Sequence, residues 1–228
     1  MNKWFKTATL AVGLLLANTA FAGTTNNVYI DQVGSGSTIS ITQSGSGNEV
    51  GNDTTKTTLN GNTQTVTINQ VGSNNTHNVN MQGASSTLTS TTTGDSNTVT
   101  VNCGAAPTTT CTDTSITANA TGNGNTLSVA AGAKSTMGIA VTGDNNTASI
   151  SSTTSNMMGA KADIKSSGDS NAISVSQSGP AGANGFDTKV DVTGSSNNIG
   201  VTQSGTIDSN VNIKSNGSNN SITVTSGN

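Results

Sequence analysis

The sequence predicts an all-β solenoid with two strands per coil, roughly eight coils, and strands stacked as parallel in-register sheets. Three observations predict it. The first is composition: 228 residues, of which 30% are hydrophobic, 8% charged and 2% aromatic, with 27 Gly. An ordinary globular domain is nearly half apolar and about a quarter charged, so a core of large side chains is excluded. The formal charge of only −3 and the frequent Thr, Val and Ile do not fit ordinary disorder either. Ser, Thr, Asn and Gly suit repetitive β structure held by backbone ladders and small polar side chains. The second observation is an internal repeat, Gly-x-x-Asn-x-φ-x-φ with φ apolar. The third is parity, which sets the amides and the aliphatic residues of each unit on one face.

The chain opens on an expected export leader. Lys3 and Lys6 precede a mostly apolar run from Ala8 to Ala17, and Ala20-Phe21-Ala22 forms a small-x-small cleavage site before Gly23. Such a charged start, short apolar run and small-residue site define a secretory signal peptide, residues 1–22, cut between Ala22 and Gly23. The run is too short to span a bilayer, which needs about 20 apolar residues. Residues 23–228 form the expected repeat domain, with no segment suited to membrane insertion.

The repeat then runs the length of that domain. Its corners start at Gly94, Gly122, Gly143, Gly168, Gly194 and Gly217, which by subtraction are 28, 21, 25, 26 and 23 residues apart. A half-period also shows: Gly61, Gly72, Gly83 and Gly94 are each eleven apart by subtraction. Many halves read φ-x-φ-x-Gln-x-Gly, as in Val28-x-Ile30-x-Gln32-x-Gly34 and Ile173-x-Val175-x-Gln177-x-Gly179. Successive side chains of a strand point to opposite faces. In Gly168-x-x-Asn171-x-Ile173-x-Val175-x-Gln177, the Asn, both aliphatics and the Gln therefore face one way, while Ala172, Ser174 and Ser176 face the other. Stacked coils set Asn over Asn and Gln over Gln, and their amides can bond along the stack. The expected inward amides are Gln32, Gln43, Asn48, Gln70, Asn75, Asn97, Asn125, Asn146, Asn171, Gln177, Asn197, Gln203 and Asn220. Gly at each corner allows the positive φ of a tight turn. Helix is excluded by the alternation and the scarcity of helix formers.

Four longer insertions are expected on the corner opposite Gly-x-x-Asn: Gly51 to Lys56, Cys103 to Cys111, Ser152 to Gly159 and Gly179 to Phe186. Two cysteines in an exported chain suggest a disulfide. Cys103 and Cys111 would staple a Gly- and Pro-containing loop, and their spacing is not a redox C-x-x-C.

Other chemistries find little support. A single His, His77, sits at an inward φ position without an acid or nucleophile partner in its motif, so no catalytic residue and no enzyme activity is expected. Eight basic residues in a net acidic chain exclude a nucleic-acid footprint. Asp95, Asp144 and Asp169 follow corner glycines and could bind Ca²⁺, but Asp is also an ordinary turn residue; no cofactor or metal is assigned. Outward threonines, as in Thr98-x-Thr100 and Thr223-x-Thr225, leave a monomeric adhesin or ice-binding solenoid as the alternative function. The terminal strand Asn220 to Thr225 carries no charge, Pro or cap to blunt its edge, which favours head-to-tail stacking into a filament.

The pattern Ile39-x-Ile41-x-Gln43-x-Gly45-x-x-Asn48 resembles the curlin repeat, the unit of bacterial curli subunits, and so does Gln70-x-Gly72-x-x-Asn75. Gln32-x-Gly34 runs into Ser37 where that family has Asn, and many later units replace the Gln, as at Thr92, Ala120 and Val141. The resemblance implies a divergent subunit of an extracellular curli-like amyloid fibre in the biofilm matrix, exported across both membranes of a bacterial cell. It implies self-association at open solenoid ends, with a second curlin-like subunit and an outer-membrane secretion pore as partners.

Overall fold

In the computed structural model, residues 15–20, 25–104, 110–154, 159–179 and 185–227 are described. They form a β-solenoid of about eight turns, without helix. Every pairing between strands is parallel and in register. Each coil contributes one pass to each of two facing walls. One wall is a single eleven-stranded sheet running from Asn27–Val28 to Ser221–Gly227. The opposite wall is split into a five-stranded sheet ending at Ser115–Ile116 and a three-stranded sheet starting at Lys161–Asp163. Single bridges Ser115↔Thr136 and Thr136↔Lys161 join the two pieces.

The apolar columns follow from parity. In the long wall Val99 pairs with Leu127, Leu127 with Ala148, Ala148 with Ile173, Ile173 with Ile199 and Ile199 with Ile222. Val101, Val129, Ile150, Val175, Val201 and Val224 form the next column. In the split wall Ile39 lies on Val66 and Ile41 on Ile68. These side chains meet between the walls as one core, each contributing roughly 1.5–3 kcal/mol on burial. A single coil could not cover them; its neighbours do.

The corners explain the glycines. Gly45 has φ +107° and Gly94 φ +108°. A Cβ on Gly94 would lie 2.1 Å from the Gly122 carbonyl oxygen, and one on Gly45 1.9 Å from that of Gly72. Gly stacks on Gly because nothing larger fits between consecutive corners. The third corner position is also left-handed, with Asn74, Ser96, Asn145 and Asn219 at φ 57–61°, small polar residues that tolerate it.

One expectation is corrected. The long-wall strands before three of the insertions end at Cys103, Thr154 and Gly179, at the corner opposite Gly-x-x-Asn, with 105–109, 155–158 and 180–184 outside the described residues; the insertion 51–56 does not lie at that corner. It interrupts a long-wall pass, splitting it into Glu49–Val50 and Thr57–Asn60. Gly51, at φ +65°, makes that excursion possible, since a Cβ there would meet the Tyr29 carbonyl at 2.5 Å. Leu15–Ala20, within the expected leader, is a strand paired parallel with Thr38–Ser44.

Candidate functional site

The longest polar feature is a ladder of asparagines at one corner. Asn48, Asn75, Asn97, Asn125, Asn146, Asn171 and Asn197 are buried, and Asn220 closes the series half-buried. The Oδ1 of Asn75 accepts the Asn97 backbone N–H at 3.0 Å and its Nδ2–H at 3.1 Å. Asn97 serves Asn125 in the same way at 2.9 and 3.0 Å, and Asn197 serves Asn220 at 3.0 and 2.9 Å. Several Nδ2 groups also reach forward: Asn75 donates to the Gly94 carbonyl at 2.8 Å, Asn97 to Gly122 at 2.8 Å and Asn125 to Gly143 at 2.8 Å. One amide thus ties three consecutive coils with two donated and two accepted bonds, the full capacity of a primary amide. Burial without those partners would cost about 1–3 kcal/mol per group.

The ladder has one member that the repeat reading missed. Asn26 Oδ1 accepts the Asn48 N–H at 3.0 Å, and its Nδ2 donates to the Gly45 carbonyl at 2.9 Å. The signal was present, because Gly23-Thr24-Thr25-Asn26 is itself a Gly-x-x-Asn unit and Thr25 has the positive φ of a third corner position, 78°.

The glutamines form no matching column. Gln43 donates to Gln70 Oε1 at 2.8 Å in the split wall, and Gln177 to Gln203 Oε1 at 3.0 Å in the long wall. These are two separate pairs on opposite walls. Gln70 is followed in its column by Thr92 and Gln203 by Ser226. Gln32 joins neither: it pairs with Leu59, is half-buried, and donates back to the Gly34 carbonyl at 3.1 Å. The Gln half of the expected ladder is therefore corrected to two rungs, because the half-period places Gln units on alternate walls.

A second, exposed ladder runs outside the Asn corner. Asp95 Oδ1 accepts the Ser73 N–H at 2.7 Å, Asn123 Oδ1 the Asp95 N–H at 2.8 Å, and Asp144 Oδ1 the Asn123 N–H at 2.7 Å. Asp169 does the same for Asp144 at 2.8 Å. The residue after each corner glycine thus holds the preceding coil. Among the described residues no cluster of His, Cys, Asp or Glu is suited to a metal.

Cys103 and Cys111 are bonded and buried. Cys103 ends a long-wall strand, and the Cys111 N–H donates to the Gln82 carbonyl, tying the insertion to the coil before it. His77 lies inward and fully buried between Val50 and Val99. Its Nε2 meets Thr92 Oγ1 at 2.8 Å and its Nδ1 meets Ser90 Oγ at 3.4 Å, both across from it on the split wall. Desolvation lowers its pKa from 6.5 to about 3. Thr98 faces outward in a column with Thr76, Thr126 and Thr147, which Ala172 then interrupts. Ala22 and Gly23 lie outside the described residues.

The ends complete the geometry. Ser221–Gly227 is the last strand of the long wall and Ser209–Asn216 the last of the three-stranded sheet, each with a partner on one side only among the described strands. Ile222 and Val224 are only partly buried there, as is Ile30 at the other end.

Residues 22–49 match the Curlin associated repeat. That likeness is to one repeat unit near the start of the repeat array. No curated protein and no solved structure gives a significant match.

Proposed function

We propose that this chain, which carries a curlin-type repeat and folds as a β-solenoid, is a structural subunit of an extracellular curli-like fibre that grows by strand addition at its ends. The observation that carries the reading is the polarity of the Asn ladder. From Asn26 to Asn197 each Oδ1 accepts the backbone N–H of the next Asn in the column, so Asn220 presents an acceptor at one end. Asn26 occupies the corresponding corner at the other. Continuing the register sets Asn220 against Asn26, Ile222 against Val28 and Val224 against Ile30 in the long wall. In the split wall the alternation of passes leaves one strand seat between Ser209–Asn216 and the next copy's Thr38–Ser44, the seat that Leu15–Ala20 takes beside Thr38–Ser44 within one chain.

Such a junction pairs unsatisfied strand edges and covers half-buried aliphatics. Because the contact is heterologous and needs no rotation to close, it propagates. In this reading cleavage after Ala22 removes Leu15–Ala20 from that seat, and the long wall carries the continuous junction. Export, an outer-membrane pore, a second curlin-like subunit and a biofilm or adhesive role belong to the same proposal. A structural role uses no enzymatic chemistry and no cofactor.

The test is dilution of chain 23–228 from denaturant, followed by electron microscopy and fibre diffraction. Unbranched filaments with reflections near 4.7 and about 10 Å are expected. A chain that folds but stays monodisperse for days overturns the reading. Replacing Ile222 and Val224 by Lys should abolish growth while leaving the circular dichroism of the solenoid intact.

A further inference from the structure

The outward face of the three-stranded sheet carries charge in an alternating order. Lys161, Asp163 and Lys165 share one parity on the first pass, and Asp187, Lys189 and Asp191 on the next; all six are exposed or half-buried. Register sets Lys161 beside Asp187 and Asp163 beside Lys189. The Lys165 N–H on the Val190 carbonyl, at 3.2 Å, continues that register and sets Lys165 beside Asp191. Signs therefore alternate both along the strands and across them.

This concentration is unusual for the molecule. The chain is only 8% charged, yet three of its eight basic and three of its eleven acidic residues fall on two neighbouring strands. The six sum to zero and Lys214, beside Asp191 on the third strand, adds one positive charge, so the face carries little net charge to repel a copy of itself, unlike a face of one sign.

We propose that this face is a lateral interface with a second copy of this chain running antiparallel. A twofold axis parallel to the strands, lying between Lys161–Asp163 and Phe186–Thr193, reverses the stacking direction and keeps the position along the strand. It sets Lys161 over Asp187, Asp163 over Lys189 and Lys165 over Asp191, and the same three pairs again by symmetry. No like charges meet. The flanking rows are compatible: Thr136 falls over Asn210, and Gly138 over Asn212. The opposite axis, along the stack, would set Lys over Lys at the ends of the row, so the pattern selects the antiparallel arrangement. An isologous contact of this kind is self-complementary.

Exposed ion pairs are individually weak and screened by salt. Repetition supplies what one patch lacks: in a filament every copy presents the same face at the same spacing, so pairing is multivalent. The inference rests on the fibre reading for that multiplicity.

The experiment uses filaments of chain 23–228 and of two triple variants, D163K/D187K/D191K and K161D/K165D/K189D, each checked for cross-β diffraction. Wild-type filaments are expected to pair side by side at low ionic strength and to separate in 1 M salt, where the Debye length is about 3 Å. Each variant alone should give single filaments. Mixing the two preformed variants should restore pairing to at least half the wild-type frequency by electron microscopy. The proposal is overturned if wild-type pairing survives 1 M salt unchanged, if either variant pairs alone as well as the wild type, or if the mixture stays single. Should a variant not assemble, the set K161Q/K165Q/K189Q, which leaves the three aspartates without opposite charges, gives the same comparison, with loss of pairing expected. Should no chain form filaments, the fibre reading fails by itself. Sedimentation of the soluble chains then still decides the face: a salt-sensitive dimer in the wild type and in the mixture, but in neither variant alone, supports it.

Discussion

The two walls of the solenoid are built from the same repeat and differ in regularity. The long wall is one sheet from end to end; the facing wall breaks between Ser115–Ile116 and Lys161–Asp163. Each long-wall pass in the repeat array starts just after a Gly-x-x-Asn corner, where an inward amide fixes the register of its first residue. Passes of the split wall start after the other corner, which has no continuous ladder and takes the insertions. There the chain wanders. Ile139 and Val141, both β-branched, adopt φ 86° and 70°, conformations that cost of order 1–3 kcal/mol each. Both walls keep their register and both possess aliphatic columns; the wall beside the continuous amide column is the one that stays a single sheet.

The largest expected effect is at a ladder corner. Gly94→Ala should destabilise the chain by roughly 3 kcal/mol or more, since its Cβ would strike the Gly122 carbonyl at 2.1 Å in a backbone region closed to Ala. A denaturant melt showing less than about 1 kcal/mol would mean that the corners yield. Next, Asn125→Leu strands the Asn146 N–H and the Gly143 carbonyl and takes from the Asn97 Oδ1 one of its two donors, at a cost of about 3 kcal/mol. Gln43→Leu, in a two-rung pair, should cost less. Equal losses would break the distinction between column and isolated pair.

Reducing Cys103–Cys111, a link across eight residues of sequence, should cost about 2–3 kcal/mol. Loss of protection in hydrogen exchange should centre on the corner opposite the Asn ladder. His77 ties the walls to pH. Its folded pKa of about 3 lies below its ordinary 6.5, so the unfolded chain binds a proton that the folded chain refuses between those values. Stability is full above pH 6.5, falls as pH drops through the window, and has lost about 2 kcal/mol by pH 5. His77→Val should flatten that slope in melts at pH 7 and pH 5. The smallest effect is at Gly200, a long-wall strand interior where a Cβ meets nothing within 4 Å. Gly200→Thr should be neutral or stabilising by up to ~1 kcal/mol, and a loss there would mean that the outward face is covered.

Much of this was legible in residue order. Fold class, parallel stacking, the Gly corners and the inward direction of the amides follow from a period and a parity, because a strand's alternation is set by local backbone geometry. Asn26 was equally legible, but its unit lies beside the expected cleavage site. The Gln readings failed for a nameable reason: the half-period puts Gln43 and Gln177 on different walls, and only wall assignment tells which amides meet.

What the sequence determined by itself is the rung: two strands, a glycine hinge, and an amide and two aliphatics facing in. Its information is local, and local geometry suffices. Only the tertiary structure decided which rungs are neighbours, because insertions between 21 and 28 residues of repeat spacing leave stacking order intact while shifting every non-local contact. The continuous Asn column, the pairing of His77 with Ser90 and Thr92, and the alternating charges on one outer face exist only once the coils are superposed.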